Sequence, residues 1–202
     1  MNKILLATTN KGKQREYGEL LAPLGLEIVT LADLGSDVPE VMEDGHTFEE
    51  NALKKALAYF EHFKLPVIAD DSGLEVDALG GRPGVFSARY AGEKATDEEN
   101  IAKVLAEMDD VPLEKRSARF VCVIAYVDGK GEPIIARGTC PGQIAFEPRG
   151  SNGFGYDPIF YLPQYEKTMA QLQPEEKNRI SHRFKALEQF VQTLKRDVVD
   201  SR

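Results

Sequence analysis

Two adjacent carboxylates end an apolar run in Pro66-Val67-Ile68-Ala69-Asp70-Asp71-Ser72-Gly73. Val67 to Ala69 read as a short buried strand, and open α/β sheets take their ligands at the C-terminal ends of such strands. A carboxylate placed there can orient or deprotonate a water. Neighbouring strand residues face opposite ways, so Asp70 and Asp71 have different jobs and only one faces a given cleft. Ser72-Gly73 reads as a turn that lets backbone approach a ligand, and the same residues equally make a solvated turn.

Thr8-Thr9-Asn10-Lys11-Gly12-Lys13 sits where a strand hands over to a helix. Free N–H groups and the helix dipole attract an anion at that point, and Lys13 adds a full charge. Gln14 stands where a Walker A loop carries Ser or Thr, so this is not that loop. The alternative is a capped helix with exposed lysines. Phosphoryl transfer with Mg²⁺ needs few carboxylates, because the ion keeps waters and binds substrate phosphates. Asp71 supported by Glu43 or Glu40 would suffice, although Glu40, Glu43 and Asp44 also read as a solvated acidic loop.

Ser151-Asn152-Gly153-Phe154-Gly155-Tyr156-Asp157-Pro158 brackets a phenylalanine with glycines. Backbone can pass close to a flat ligand there, and Phe154 or Tyr156 could stack on a base; an aromatic turn packed on the core fits equally well. Lys177, Ser181, His182 and Arg183 form a fourth cluster. In an unbroken helix Lys177 shares the side of Phe184 while His182 lies nearly opposite, so they cannot converge. Ser181 is a good N-cap, and a break near Ile180-Ser181 would bring them to one cleft. Periodicity alone favours the unbroken helix.

These groups need a scaffold. Ile4–Ala7 reads as a buried strand, followed by a helix from about Lys11 and a second strand at Glu27–Thr30. Thr47-Phe48-Glu49-Glu50 matches a capping box, with Thr47 as N-cap and Glu50 reaching back. The helix behind it offers Phe48, Ala52, Leu53, Ala56, Leu57 and Phe60 to a core. Thr96-Asp97-Glu98-Glu99 is a second capping box, before a helix with Ile101, Val104, Leu105 and Met108 inward. Residues 118–127 and 133–140 read as strands joined by Asp128-Gly129-Lys130-Gly131. A closing helix carries Phe184, Leu187, Val191 and Leu194. The order predicts a mixed α/β fold in one domain spanning 1–202, with residues near 30–45 and 118–150 building a second lobe.

The 202 residues are 42% hydrophobic, with a net charge of −8. That charge argues against nucleic acid as the main partner, since neutralising phosphates needs a basic surface. Lys11, Lys13 and Arg15, and again Lys177, Arg179 and Arg183, are local clusters able to hold a small anion. The longest apolar stretches are far short of a membrane span, and the N-terminus does not read as a signal peptide. A cytoplasmic protein with Cys122 and Cys140 as reduced buried thiols is therefore expected.

Taken together, the segments resemble the inosine/xanthosine triphosphate pyrophosphatase family, house-cleaning enzymes for non-standard purine nucleotides. The resemblance rests on Ala7–Lys13, Gly45–Ala52, Ile68–Leu74, Gly80–Gly84, Ser87–Tyr90, Gly153–Pro158, Glu176-Lys177 and Ser181–Arg183, in order along nearly the whole chain. It implies a long twisted central sheet with flanking helices, two lobes with a substrate cleft between them, and a homodimer. It further implies Mg²⁺-dependent hydrolysis of ITP, dITP and XTP to the monophosphate and pyrophosphate. By matching motif, Thr8, Thr9, Asn10, Lys11, Gly12 and Lys13 would hold phosphates. Asp71 would be proton acceptor and metal contact. Ser72, Phe154, Gly155, Tyr156, Asp157, Lys177, His182 and Arg183 would line the substrate. Relatives often carry Glu-Glu-Thr-Gly where this chain has Met42-Glu43-Asp44-Gly45, which leaves Glu43 or Glu40 as the second metal carboxylate. The chemistry agrees: no cysteine or serine nucleophile with a partnering base is evident, which favours direct attack by water over a covalent intermediate. Two other readings stay open, a pyrophosphatase for modified pyrimidines and a nucleotide-binding regulator without turnover.

Overall fold

The computed structural model describes residues 3–35 and 37–200, with side chains through 195. Seven strands run in the order β2-β1-β3-β4-β5-β6-β7: β1 (Lys3–Leu6), β2 (Glu27–Thr30), β3 (Val67–Val76), β4 (Ser117–Val127), β5 (Ile134–Ile144), β6 (Phe160–Leu162) and β7 (Lys167–Thr168). β1 is parallel to both β2 and β3, whereas β6 is antiparallel to β5 and β7. Parallel neighbours need crossovers, and helices α1 (Lys11–Leu21) and α2 (Phe48–Phe63) lie in those two connections. Helices α3 (Asp97–Glu107), α4 (Pro174–Ile180) and α5 (His182–Asp200) complete the mixed α/β fold.

The chain falls into two compact units. Unit 1 takes residues 1–71, 122–138 and 183–202; unit 2 takes 72–121 and 139–182. Of the residues expected in a second lobe, 30–45 and 122–138 fall in unit 1, whereas 118–121 and 139–150 fall in unit 2. Unit 1 is cored by Ile4, Leu6, Tyr17, Leu21, Ile68, Ile124 and Phe190. Unit 2 is cored by Leu74, Val104, Met108, Phe120, Ile144, Phe160 and Met169.

Three local expectations are corrected. β3 does not stop at Ala69 but continues through both aspartates to Val76. Gly73 is therefore a strand residue: a side chain there would strike Ser87 Oγ and the Gly84 carbonyl, so glycine permits a close approach rather than a turn. Thr47 caps α2 by accepting from the Glu50 N–H, but Glu50 accepts from the His46 N–H, one residue beyond the N-cap. The box at Thr96 and Glu99 forms in both directions. Helix α2 buries Phe48, Ala52 and Ala56 as expected, but it also buries Asn51, Lys55 and Tyr59 and leaves Leu57 exposed.

Candidate active site

In unit 1 the chemistry gathers around β1, β3 and α2. β1 ends beside Ile68, with the Ala7 N–H bonded to the Ile68 carbonyl, so the Thr8–Lys13 loop leaves the sheet where β3 presents its aspartates. Asn10 caps α1: its Oδ1 accepts from the Lys13 N–H at 3.0 Å. Thr8 Oγ1 accepts from the Asn10 N–H, and Gln14 holds the Thr8 carbonyl. Thr8 is buried, Gly12 and Lys13 are half-buried, and Thr9, Asn10 and Lys11 are exposed.

The two aspartates do face different surroundings. Asp70 has a fully buried side chain whose Oδ2 lies 3.0 Å from Lys13 Nζ and 3.8 Å from Arg183 Nε. Burial pushes its carboxyl up, but Lys13, Arg183 and Lys55 together outweigh burial and hold it below the usual carboxylate range. Arg183 also pairs with the buried carboxylate of Glu16 and lies over the Tyr17 ring. Its guanidinium is thus inside unit 1, only 1% exposed, among carboxylates. The buried thiol of Cys122 neighbours Asp70 Oδ2 at 3.8 Å and is pushed up to about 12, first by burial and then by that charge, which makes it an inert group.

Asp71 accepts from Asn51 Nδ2 at 3.0 Å. Burial raises its carboxyl to about 6; Lys13, the Asn51 hydrogen bond and Lys55 pull downward, while Glu43 adds to the rise. A carboxylate with that value is ionised at neutral pH yet basic enough to take a proton from water. One turn after Asn51 on the same face of α2, Lys55 Nζ meets Glu43 Oε1 at 2.6 Å. Burial lowers the Lys55 ammonium, but Asp70, Glu43 and Asp71 more than compensate and keep it charged. Glu43, not Glu40, is the second carboxylate in Asp71's electrostatic surroundings. Glu40 lines a separate groove with Pro39, Val41, Met42 and His62.

Among the described residues no group of three or more His, Cys, Asp or Glu is placed to hold a metal. Asp71 and Glu43 offer hard carboxylate oxygens only. That donor set fits Mg²⁺, which takes one or two carboxylates and completes its shell from phosphates and water.

In unit 2 the glycine-rich loop is held shut on itself. Gly153 and Gly155 adopt φ values of 78° and 60°, which disfavour side chains. Asp157 Oδ2 accepts from the Phe154 N–H at 3.0 Å and from Lys177 Nζ at 2.6 Å. Lys177 Nζ lies 4.9 Å from the centre of the Phe154 ring, and both members of the Lys177–Asp157 pair are buried. The Gly155 N–H donates to Asp97 at 2.7 Å, and the Tyr156 hydroxyl to the Ser87 carbonyl at 2.6 Å. Ser72 is half-buried on β3.

The chain does break at Ser181, which is extended with φ −65° and ψ 154°, between α4 and α5. His182 consequently stacks on Phe120 with ring centres 4.8 Å apart, in unit 2, while Arg183 belongs to unit 1. Asn51 and Lys55 are residues that sequence reasoning did not single out. Their signal was a polar pair at i, i+4 between Phe48, Ala52, Ala56 and Tyr59, where a surface stripe should not be. Cys140, like Cys122, is buried and in no disulfide.

The profile of the Ham1 family matches residues 4–193. A dITP/XTP pyrophosphatase of Geobacillus kaustophilus is 57% identical over 93% of this chain and 91% of its own length. That of Halalkalibacterium halodurans is 52% identical over 94% and 97%. Among solved structures, a Ham1 protein from Coxiella burnetii superposes with a TM-score of 0.87 at 47% identity, covering 97% of this chain and all of that one. A nucleoside-triphosphatase, dITP/XTP pyrophosphatase, from Mycobacterium abscessus gives 0.77 at 45%, covering 95% and 99%. With profile, sequences and structures all agreeing across nearly its full length, the chain belongs to the Ham1 family.

Proposed function

We propose that this chain hydrolyses dITP, ITP and XTP to the nucleoside monophosphate and pyrophosphate, clearing non-standard purines from the nucleotide pool. The observation that carries the reading is Asp71: a buried carboxylate raised to about 6, hydrogen-bonded by Asn51, in the fields of Lys13 and Lys55. The names of the relatives supply the substrate class.

In this reading the Thr8–Lys13 segment and Lys55 bind the triphosphate and offset its charge, which matters most where charge redistributes in the transition state. Asp71 orients the attacking water and accepts its proton. Asp71 and Glu43 would hold Mg²⁺, which when bound would supply positive charge to offset that of the triphosphate. Within unit 2, Phe154 offers a flat face held by Lys177 and Asp157, and Ser72, Gly155, Tyr156 and His182 are residues that the family resemblance assigns to the substrate. Asp70 keeps Lys13 and Arg183 where they are needed. The enzyme works in the cytoplasm as a homodimer, a reading supported by the family resemblance and testable by light scattering. Among the described residues no helix is long and apolar enough to cross a membrane.

The test is release of pyrophosphate from ITP, dITP, XTP, ATP and GTP, with Mg²⁺ or with EDTA. Pyrophosphate from the first three, with ATP and GTP poor and EDTA abolishing turnover, is the expected result. Inorganic phosphate as first product would refute the cleavage position, and full activity in EDTA would refute the metal.

A further inference from the structure

Asn51 touches both chain segments that carry the proposed metal carboxylates. Its Nδ2 donates to Asp71 Oδ2 at 3.0 Å, and its Oδ1 accepts from the Gly45 N–H at 2.8 Å. The side chain is 1% exposed, so neither bond is shared with bulk water. The loop has to come close for this: a Cβ on Gly45 would stand 2.7 Å from Asn51 Oδ1 and 2.9 Å from the Glu50 Cβ. Glu43 is two residues before Gly45, and its carboxylate is gripped from the same helix face by Lys55. A primary amide suits this place because it donates on one side and accepts on the other without charge.

We infer that Asn51 is a positioning residue: its amide clamps Asp71 to the Glu43–Gly45 loop, fixing the orientation of the one carboxylate and its distance from the other. This rests on Asp71 being the working carboxylate of the reaction proposed above. A side chain that orients a metal or catalytic carboxylate typically contributes 10–100-fold.

Asn51→Asp separates positioning from mere loop support. It is nearly isosteric and keeps an acceptor for the Gly45 N–H, but at pH 8 it offers Asp71 a second carboxylate instead of a donor. Positioning predicts that Asn51→Asp and Asn51→Ala both lose roughly 10–100-fold in kcat on ITP with KM within about threefold. It also predicts that both bind an ITP analogue with a methylene at the α–β bridge as the wild type does, by calorimetry in EDTA. A structural role predicts that Asn51→Asp recovers what Asn51→Ala loses; kcat within threefold of wild type for Asn51→Asp overturns the inference. A crystal structure of the wild type with that analogue and Mg²⁺ decides the matter if the variants do not fold: Asn51 Nδ2 stays within hydrogen-bond distance of Asp71, or the inference falls. Wild-type turnover measured alongside keeps the two ideas apart, because an inactive wild type refutes the pyrophosphatase reading, not the clamp.

Discussion

Replacing Asp71 by Asn should make the metal-free protein more stable at neutral pH while nearly abolishing its turnover. The residue is 5% exposed, and its carboxyl titrates near 6 instead of 3.8, chiefly because burial penalises the charge. Between those two values the folded chain holds a proton that the unfolded chain has released. The proton's contribution to stability is therefore complete below about pH 4 and is lost as pH rises through 6. The gap is about two pH units, and at 1.36 kcal/mol each the ionised carboxylate opposes folding by about 3 kcal/mol at pH 7.5. An amide is neutral throughout, nearly the same size, and can turn its carbonyl oxygen to Asn51 to accept the same hydrogen bond. Attraction of the carboxylate to Lys13 and Lys55 is lost as well, but it is already counted in the value near 6.

A gain of roughly 1–3 kcal/mol follows, which raises Tm by roughly 2–12 °C in a chain of this length. The assay is thermal unfolding of both proteins in EDTA at pH 4, 5, 6 and 7.5, with pyrophosphate release from ITP in Mg²⁺ as the companion. The stability gap should close towards pH 4, and kcat should fall by about 10²–10⁴. A mutant less stable than wild type at pH 7.5, or a gap of equal size at pH 4 and 7.5, would refute the reasoning.

The neighbouring aspartate should behave oppositely. Asp70→Asn strips a buried partner from Lys13 and another from Arg183, and breaking a buried pair in this way costs about 3–5 kcal/mol. Its carboxyl is held below 3.8, so its stabilisation is present above that value and disappears as pH falls through the folded value; unfolding at pH 7.5 should show the full loss and KM for ITP should rise, whereas wild-type stability would remove Asp70 as the cation anchor. In unit 2, Gly153→Ala forces a side chain into φ 78° and against Asp157 Oδ2. It should loosen the Lys177–Asp157 clamp, lower stability by about 1–3 kcal/mol and raise KM for ITP, and calorimetric binding equal to wild type would take that loop out of substrate recognition.

What the sequence reading captured depended on how each feature announces itself. Caps and punctuation did so plainly: Thr47, Thr96 and the glycines around Phe154 lie where short-range rules put them. Alternation along a strand correctly separated Asp70 from Asp71. It could not say which partners each would meet, because Lys13, Asn51 and Arg183 arrive from distant parts of the chain. Periodicity counts apolar residues, so it turned α2 towards Leu57 and missed the buried Asn51 and Lys55. Asn51 is inside because β3 brings Asp71 to it, and Lys55 because Glu43 pairs with it and both aspartates hold its charge, which are tertiary facts. The break at Ser181 was one of two readings until burial decided it: an unbroken helix could not bury both His182 and Arg183 alongside Lys177, and all three are at most 5% exposed.

The doubled aspartate makes physical sense as a division of labour. A site meant for a triphosphate gathers cations, and Lys13, Lys55 and Arg183 would repel one another before substrate arrives. Asp70 neutralises that repulsion from inside the sheet, with its charge held on by the same three groups. It cannot also serve as a base, because a carboxyl kept so acidic gives up its proton too readily to take one from water. Asp71, one residue on and facing the other way, feels Lys13 and Lys55 but remains dominated by burial, with Glu43's like charge a smaller push in the same direction. For the proposed reaction, environments that push two adjacent carboxyls apart suit them to different roles. The anchor adds stability to the fold and the base subtracts from it, so the strand that holds them offsets the strain of the second with the attraction of the first.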